Sequence, residues 1–173
     1  MADAPQTPPG GDAATPGTGP RVLVQTQYIK DLSFENPRAP GSFEPSQTRP
    51  EIQVRVDVRA QGVGDDRYEV ALQLHVDAKA GEQTVFMTEL TYAGLFVMQN
   101  VPKENLQAIL LVEGPRLLFP FARRIVADAT RDGGFPPLMI DPIDFLALYR
   151  RRQQAQAESR PADSTATGDP RPN

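Results

Sequence analysis

Residues 51–98 read EIQVRVDVRAQGVGDDRYEVALQLHVDAKAGEQTVFMTELTYAGLFVM. Apolar and polar residues alternate here through two runs and part of a third. Side chains of an extended chain point to opposite faces in turn, so the alternation indicates half-buried strands. The apolar faces of the first two runs consist of Ile52, Val54, Val56 and Val58, then Tyr68, Val70, Leu72, Leu74 and Val76. The turn-rich connection between these two runs predicts an antiparallel hairpin.

The third run, QTVFMTELTY, carries apolar groups on both faces. Phe86, Thr88, Leu90 and Tyr92 share one face, whereas Val85, Met87, Glu89 and Thr91 share the other. An antiparallel sheet with one apolar face needs a cover for that face. We therefore expect helices later in the chain to pack on it.

A further strand is predicted before residue 51, in VLVQTQYIKDL, with Val22, Val24 and Tyr28 on one face. The next segment, residues 33–51, contains four prolines that exclude a helix or a central strand, namely Pro37, Pro40, Pro45 and Pro50. It is predicted to be a long loop. Burial of each of its phenylalanines, Phe34 and Phe43, is worth about 1.5 to 3 kcal/mol. We expect the loop to lie against the fold, either as one wall of an apolar groove or as a plug for the core.

Helical spacing of apolar residues begins at residue 101 and is predicted to break at Gly114 and Pro115. A new helix is expected to have Pro120 in its first turn and to end at Gly133 and Gly134. One face of this helix carries Phe121, Ile125 and Ala129.

The last helix is predicted to begin with Asp141 as its N-cap, followed by Pro142 at the first helical position. Its apolar stripe contains Phe145, Leu146, Leu148 and Tyr149. The basic triplet Arg150–Arg152 follows. Positive charge near the carboxyl end of a helix interacts favourably with the helix dipole, so the triplet does not require a nucleic-acid partner.

Composition limits the class of protein. The chain has 173 residues, a net charge of −4 and no cysteine. The acidic balance argues against nucleic acid as a partner, and no apolar run is long enough for membrane insertion. Residues 21–152 are predicted to form one domain between disordered tails at 1–20 and 153–173, which lack the apolar content of a core.

Catalytic motifs are not recognisable in this sequence. His75, the only histidine, is expected at the surface of a strand, and Asp65 and Asp66 are expected in a turn. Neither arrangement matches the spacing of a metal site or of an acid/base pair. We therefore expect no enzymatic activity, no cofactor and no metal.

The segment YIKDLSFENPRAP, at residues 28–40, resembles the N-terminal signature of the SecB protein-export chaperones. Two later segments, residues 65–96 and 117–149, resemble the central hairpin and the helical half of that family. The resemblance implies an α+β fold: a four-stranded antiparallel sheet with two main helices packed on one face and a long Pro-rich crossover loop after strand 1. It also implies a homotetramer, built as a dimer of dimers. Such a protein holds unfolded precursor proteins in the bacterial cytoplasm, without ATP, and delivers them to the SecA motor.

The resemblance further implies functional surfaces. A motor-docking face is expected at Asp31, Glu35, Met87 and Glu89. A tetramer interface is expected at Thr88, Leu90, Tyr92, Phe121, Ile125 and Ala129.

A protein that binds many unfolded chains needs an adaptable apolar surface, because hydrogen bonds would select one sequence. The candidates for such a peptide groove are Phe34, Phe43, Phe145, Leu148 and Tyr149. Two alternatives stay open: a SecB-like chaperone dedicated to another client such as an antitoxin, and a small hydrolase that uses acidic residues.

Overall fold

A computed structural model describes residues 19–44 and 49–158 of the chain. It contains four strands, β1 (Arg21–Glu35), β2 (Glu51–Gly64), β3 (Arg67–Ala80) and β4 (Gln83–Gln99). They form one antiparallel sheet in the order β1-β4-β3-β2. The predicted four-stranded α+β architecture is confirmed. Most of both predicted tails, and Pro45 of the predicted loop, lie outside the described residues.

The predicted hairpin joins β2 to β3. Val54 pairs with Val76, and Val58 pairs with Leu72, so the apolar residues of the two strands share one face. Asp65 and Asp66 form the turn with φ angles of 40° and 56°. Aspartate tolerates this left-handed conformation better than most residues, which explains its use here.

The apolar faces of β3 and β4 form the core of the sheet. Leu72, Leu74, Leu90 and Phe96 are fully buried, as the alternation predicts. In the first run, by contrast, Ile52 and Val54 remain 41% and 37% exposed. β2 is an edge strand, and its main contact with the helical layer is with residues 109–113. Val58 lies near these residues, whereas Ile52 and Val54 lie farther along the strand.

β1 differs most from the prediction. It is an edge strand with two bulges, between Val24 and Thr26 and between Ile29 and Asp31. Each bulge inserts one residue and therefore switches the faces of the following side chains. Tyr28 consequently points to the opposite face from Val22 and Val24, so the predicted shared face is wrong. The strand also continues through Phe34 to Glu35, and the connection to β2 is shortened to residues 36–50.

The helical layer begins with α1 (Lys103–Ala108), continues through a π-helical segment (Ile109–Glu113) and runs directly into α2 (Gly114–Asp132). The predicted break at Gly114 and Pro115 is therefore wrong. A Cβ atom on Gly114 would lie 3.1 Å from Val70, so glycine allows the helix to approach β3 closely.

Pro120 lies inside α2 instead of in a first turn. Proline has no N–H group, so the carbonyl group of Arg116 lacks its usual partner in the helix. Pro120 and Arg116 are both exposed, so water can hydrate that carbonyl. The predicted end of the helix is confirmed, since Gly133 is its C-cap.

The last helix, α3, spans Phe145–Glu158. Its N-cap is Asp144, whose Oδ1 accepts a 2.9 Å hydrogen bond from the amide of Ala147, and the predicted cap at Asp141 is wrong. The helix continues six residues beyond 152, where the sequence analysis placed the start of the tail. α3 contacts the π-helical segment, and α2 contacts β3 and β4, so the helices share one side of the sheet.

Candidate functional site

The four predicted docking residues lie on the sheet face that points away from the helices. Asp31 pairs with Thr91, Ser33 with Glu89, and Glu35 with Met87. Paired residues of antiparallel strands point to the same face, and this face is opposite that of Leu90. We call it the outer face, defined by Asp31, Glu35, Met87 and Glu89. The second bulge of β1 gives Asp31 this orientation, and the three carboxylates are exposed.

His75 lies on the same side of the sheet, on the neighbouring strand β3, where it pairs with Glu89. Its Nδ1 atom is 2.6 Å from Glu89 Oε1, and its Nε2 atom is 2.9 Å from Asp77 Oδ2. The same Asp77 oxygen accepts from Arg55 Nη2 at 2.9 Å. Arg55, His75 and Glu89 border a cleft of about 330 Å³ that also reaches Asp31 and Asp57. Sequence analysis missed the contact with Glu89, because only the register of β3 against β4 brings the two residues together.

Glu69 connects three strands of the sheet. It accepts hydrogen bonds from Lys30 Nζ at 2.6 Å, from Gln61 Nε2 at 2.9 Å and from the Tyr28 hydroxyl. The bonds from Lys30 and Tyr28 hold the pKa of the Glu69 carboxyl below its usual value. The bond to Glu69, together with burial, raises the pKa of Tyr28 to about 12. This network fixes β1 immediately before Asp31.

An aromatic cluster lies near the carboxyl end of α2. Phe34 stacks on Phe86 with ring centroids 5.7 Å apart, and Phe135 lies 4.8 Å from Phe86 and 5.6 Å from Phe43. Phe34 is half-buried, whereas Phe43 is 53% exposed. Sequence analysis found Phe34 and Phe43 but did not assign Phe86 or Phe135 to this surface.

The other predicted groove residues lie on α3. Leu148 and Tyr149 are half-buried and line a cleft of about 290 Å³ with Val56, Val58 and Leu111. Phe145 is only 1% exposed and packs edge-on against Phe119 at 6.0 Å, so its ring supports the helix from beneath. The structure therefore divides the predicted set between two separate clusters.

The predicted interface residues also separate into two groups. Thr88, Leu90 and Tyr92 are buried inside the chain, because its own helical layer covers them. Phe121 is 45% exposed and stacks on Tyr92 at 6.4 Å. Ile125 and Ala129, on the same side of α2, are half-buried. Leu117 is another exposed apolar residue of this helix that sequence analysis missed.

A further groove, of about 820 Å³, was not predicted. Its apolar lining includes Leu106, Leu110 and Tyr149, and its charged lining includes Lys103 and Arg152. The groove borders both strands and helices, and its lining residues are far apart in the sequence. The residue pattern within any one segment therefore cannot predict this groove.

Two kinds of site are missing from the described part of the chain. Within residues 19–44 and 49–158, no group of His, Asp and Glu side chains has a geometry that could hold a metal ion. No helix in these same ranges has the length and apolar content needed to cross a membrane.

Comparison with known proteins gives a family assignment. The family model described as preprotein translocase subunit SecB matches residues 16–156. A protein-export protein SecB from Maricaulis maris is 49% identical over 98% of both chains. Another, from Parvibaculum lavamentivorans, is 52% identical over 88% of this chain and 91% of its own.

Among solved structures, a SecB-like chaperone from Mycobacterium tuberculosis in complex with a peptide from an antitoxin has a similar fold. The TM-score is 0.59 at 19% sequence identity, and the match covers 71% of this chain and 91% of the other. At this identity the similarity concerns the fold alone.

A four-stranded antiparallel sheet under a helical layer, with relatives named for protein export, defines a protein-export chaperone. The chain belongs to the SecB family. This is a family of chaperones and not of enzymes.

Proposed function

We propose that this chain binds unfolded precursor proteins in the bacterial cytoplasm, keeps them competent for translocation and delivers them to the SecA motor without using ATP. The observation that carries the proposal is the presence of two surfaces with different chemistry, which meet at the groove that both Asp31 and Tyr149 line. Uncovered apolar groups lie on the helical side, whereas exposed carboxylates lie on the outer face. Relatives about half identical in sequence and named for protein export support it.

The client surface is proposed to combine the aromatic cluster with the cleft beside α3. Phe34, Phe43, Leu148 and Tyr149 supply apolar contacts, and Phe145 supports α3 from within the core. Contacts of this kind are not directional, so they accept many different sequences. Ile52 and Val54, which are exposed on β2, extend the apolar surface available to an unfolded chain.

The motor-docking surface is proposed to be the outer face. Asp31, Glu35 and Glu89 supply negative charge around Met87, whose side chain is half-buried. Complementary charge accelerates the encounter with a basic partner and selects against other partners. An apolar centre adds contact area that salt does not screen.

The working assembly is proposed to be a homotetramer, a dimer of dimers. Exposed apolar residues along α2, Leu117 and Phe121, support association, as does the uncovered edge strand β1 with Leu23 and Ile29. Symmetric oligomers commonly bury such surfaces. Repetition of the client surface around the assembly allows one long chain to bind several weak sites at high effective concentration.

A combined variant of the outer face tests this proposal. Replacement D31N/E35Q/E89Q removes three exposed charges, so we expect its affinity for purified SecA to fall about tenfold at low salt. Binding of an unfolded precursor should change little, since the variant keeps every apolar residue of the client surface. Calorimetry measures the first quantity, and suppression of precursor refolding measures the second.

The matched control is E104Q, which removes one exposed carboxylate from α1. It should bind SecA with wild-type affinity. Wild-type docking by the triple variant would contradict the docking surface, and failure of the wild-type chain to delay precursor refolding would contradict the chaperone function.

The alternative of a dedicated client makes a different prediction. A chaperone that serves one antitoxin would capture mainly that protein in cells, whereas an export chaperone captures many precursors. Mass spectrometry of captured clients separates these outcomes. The export role is preferred because the relatives that are about half identical carry that name.

A further inference from the structure

His75 is held between two carboxylates on the outer face. Its two ring nitrogens lie 2.6 Å from Glu89 and 2.9 Å from Asp77, both within hydrogen-bonding distance. A neutral imidazole has one N–H group, whereas a protonated imidazole has two. Carboxylate oxygens accept and do not donate, so both contacts are hydrogen bonds only when the ring is protonated.

Charged groups from all four strands lie in contact with this ring or in the cleft that it lines. Arg55 and Asp57 belong to β2, Asp77 to β3, Glu89 to β4 and Asp31 to β1. The four groups in direct contact are Arg55, His75, Asp77 and Glu89, and their charges sum to zero when His75 is protonated. Their sum is −1 when His75 is neutral.

Exposure differs between the two carboxylates. The Asp77 side chain is 10% exposed and is also bonded to Arg55, whereas the Glu89 side chain is 58% exposed. Asp77 therefore stays in place, and Glu89 is the carboxylate that an incoming partner can reach. A cationic side chain of that partner would compete with His75 for the Glu89 carboxylate.

We propose that His75 is a positioning residue that links docking on the outer face to pH. The protonated ring holds Glu89 against the sheet and cancels its charge. Loss of the proton leaves one N–H group, for which the less exposed Asp77 competes best, so Glu89 becomes free to bind a lysine or arginine of the partner. This inference rests on the proposed docking of a basic motor surface and adds its regulation.

The sign of the effect follows from linkage. Docking favours neutral His75, so a proton leaves the ring when the partner binds, and affinity rises with pH. One exposed charge pair corresponds to a difference in affinity of about two- to fivefold between the protonated and the neutral ring.

Calorimetry of the untagged full chain with purified SecA tests this in buffers of different ionisation enthalpy. We expect wild-type docking to release up to one proton and to weaken about two- to fivefold on acidification. In H75Q, the glutamine can still donate hydrogen bonds to carboxylates but does not titrate. Proton release and the loss of affinity on acidification should therefore both disappear. K79Q removes a positive charge from the same strand and should retain both effects.

A second measurement needs no variant. His75 is the only histidine, so the chain has a single imidazole signal in NMR spectra. We expect this signal to show both nitrogens protonated in the free chain at low pH and to move toward the neutral form when SecA binds.

Equal proton release and equal pH dependence in wild type and H75Q would overturn the inference, as would an imidazole signal that SecA leaves unchanged. Docking would still stand in either case. Absence of SecA binding by all variants at every pH would instead contradict the docking function itself.

Discussion

Glu69 shows how one side chain stabilises a distant edge strand. It accepts hydrogen bonds from Tyr28 and Lys30 of β1 and from Gln61 of β2, although it belongs to β3. The Glu69 side chain is only 12% exposed, so water replaces these bonds poorly. The bulges of β1 are tolerated because this network holds the displaced residues.

The variant E69Q removes the charge and keeps the shape of the side chain. We expect its free energy of unfolding at neutral pH to fall by about 1 to 2 kcal/mol. Urea unfolding at a fixed chain concentration measures this change. As a control, E113Q removes an exposed ion pair with Arg116 and should cost less than about 0.5 kcal/mol.

The pH dependence of this difference has a defined sign. The pKa of Glu69 is lowered in the folded state, so its stabilisation is present above the ordinary value of 4.5 and is lost as the pH falls through the lowered value. Tyr28 acts in the opposite direction, because its pKa is raised to about 12 in the folded state. Its contribution to stability is therefore present below pH 10 and is lost between pH 10 and about pH 12. A wild-type advantage over E69Q that persists fully in strong acid would contradict this account.

At the scale of elements, α3 depends on its N-terminal cap. Phe145 is its only buried residue, so packing contributes less to this helix than to α2. The Asp144 carboxylate bonds to the amide of Ala147 in the first turn. The cap and the apolar anchor therefore lie next to each other at one end of the helix.

Replacement D144A should destabilise α3 by about 1 kcal/mol, because an amide at the helix start loses its partner. Hydrogen exchange of the amides in residues 145–158 should accelerate about fivefold, with little change in the sheet. D141A, at the position that sequence analysis chose as the cap, serves as the control and should leave exchange unaltered. Similar exchange in both variants would contradict the assignment of the cap.

At the scale of the whole molecule, the outer side of α2 remains apolar. Phe121 and Leu117 are 45% and 47% exposed, one helical turn apart. Large aromatic residues at the centre of an interface contribute most of its binding energy. This side of the helix is therefore the proposed contact between subunits.

Replacement F121S should weaken subunit association about tenfold or more, because an aromatic contact in the interface is lost. Native mass spectrometry over a range of concentrations measures the population of tetramers. The control R124S changes an exposed polar residue of the same helix and should leave the tetramer intact. Equal assembly of F121S and wild type would remove Phe121 from the interface.

The residue pattern and the family resemblance together account for much of the fold. Alternation predicted the buried faces of β3 and β4, and the glycine pair predicted the end of α2. These features depend on neighbours within one segment. The same local reasoning failed at Gly114 and Pro115, because the helix continues where glycine permits close contact with Val70.

The candidate site was predictable only in part. The family resemblance indicated the four outer-face residues, and their common orientation depends on a bulge that no local pattern announced. The partners of His75 and Glu69 come from other strands, brought together by register. Burial of Thr88, Leu90 and Tyr92 likewise depends on where the helical layer lies.

The amino-acid sequence alone was sufficient for the sheet, the alternating faces of its inner strands, the end of its long helix and the protein family, since each is expressed in spacing or motif. Tertiary structure decided which apolar faces are covered, where β1 changes face and which charges meet around His75. Coverage and contact depend on residues far apart in the chain, and only the folded arrangement specifies the distances between them.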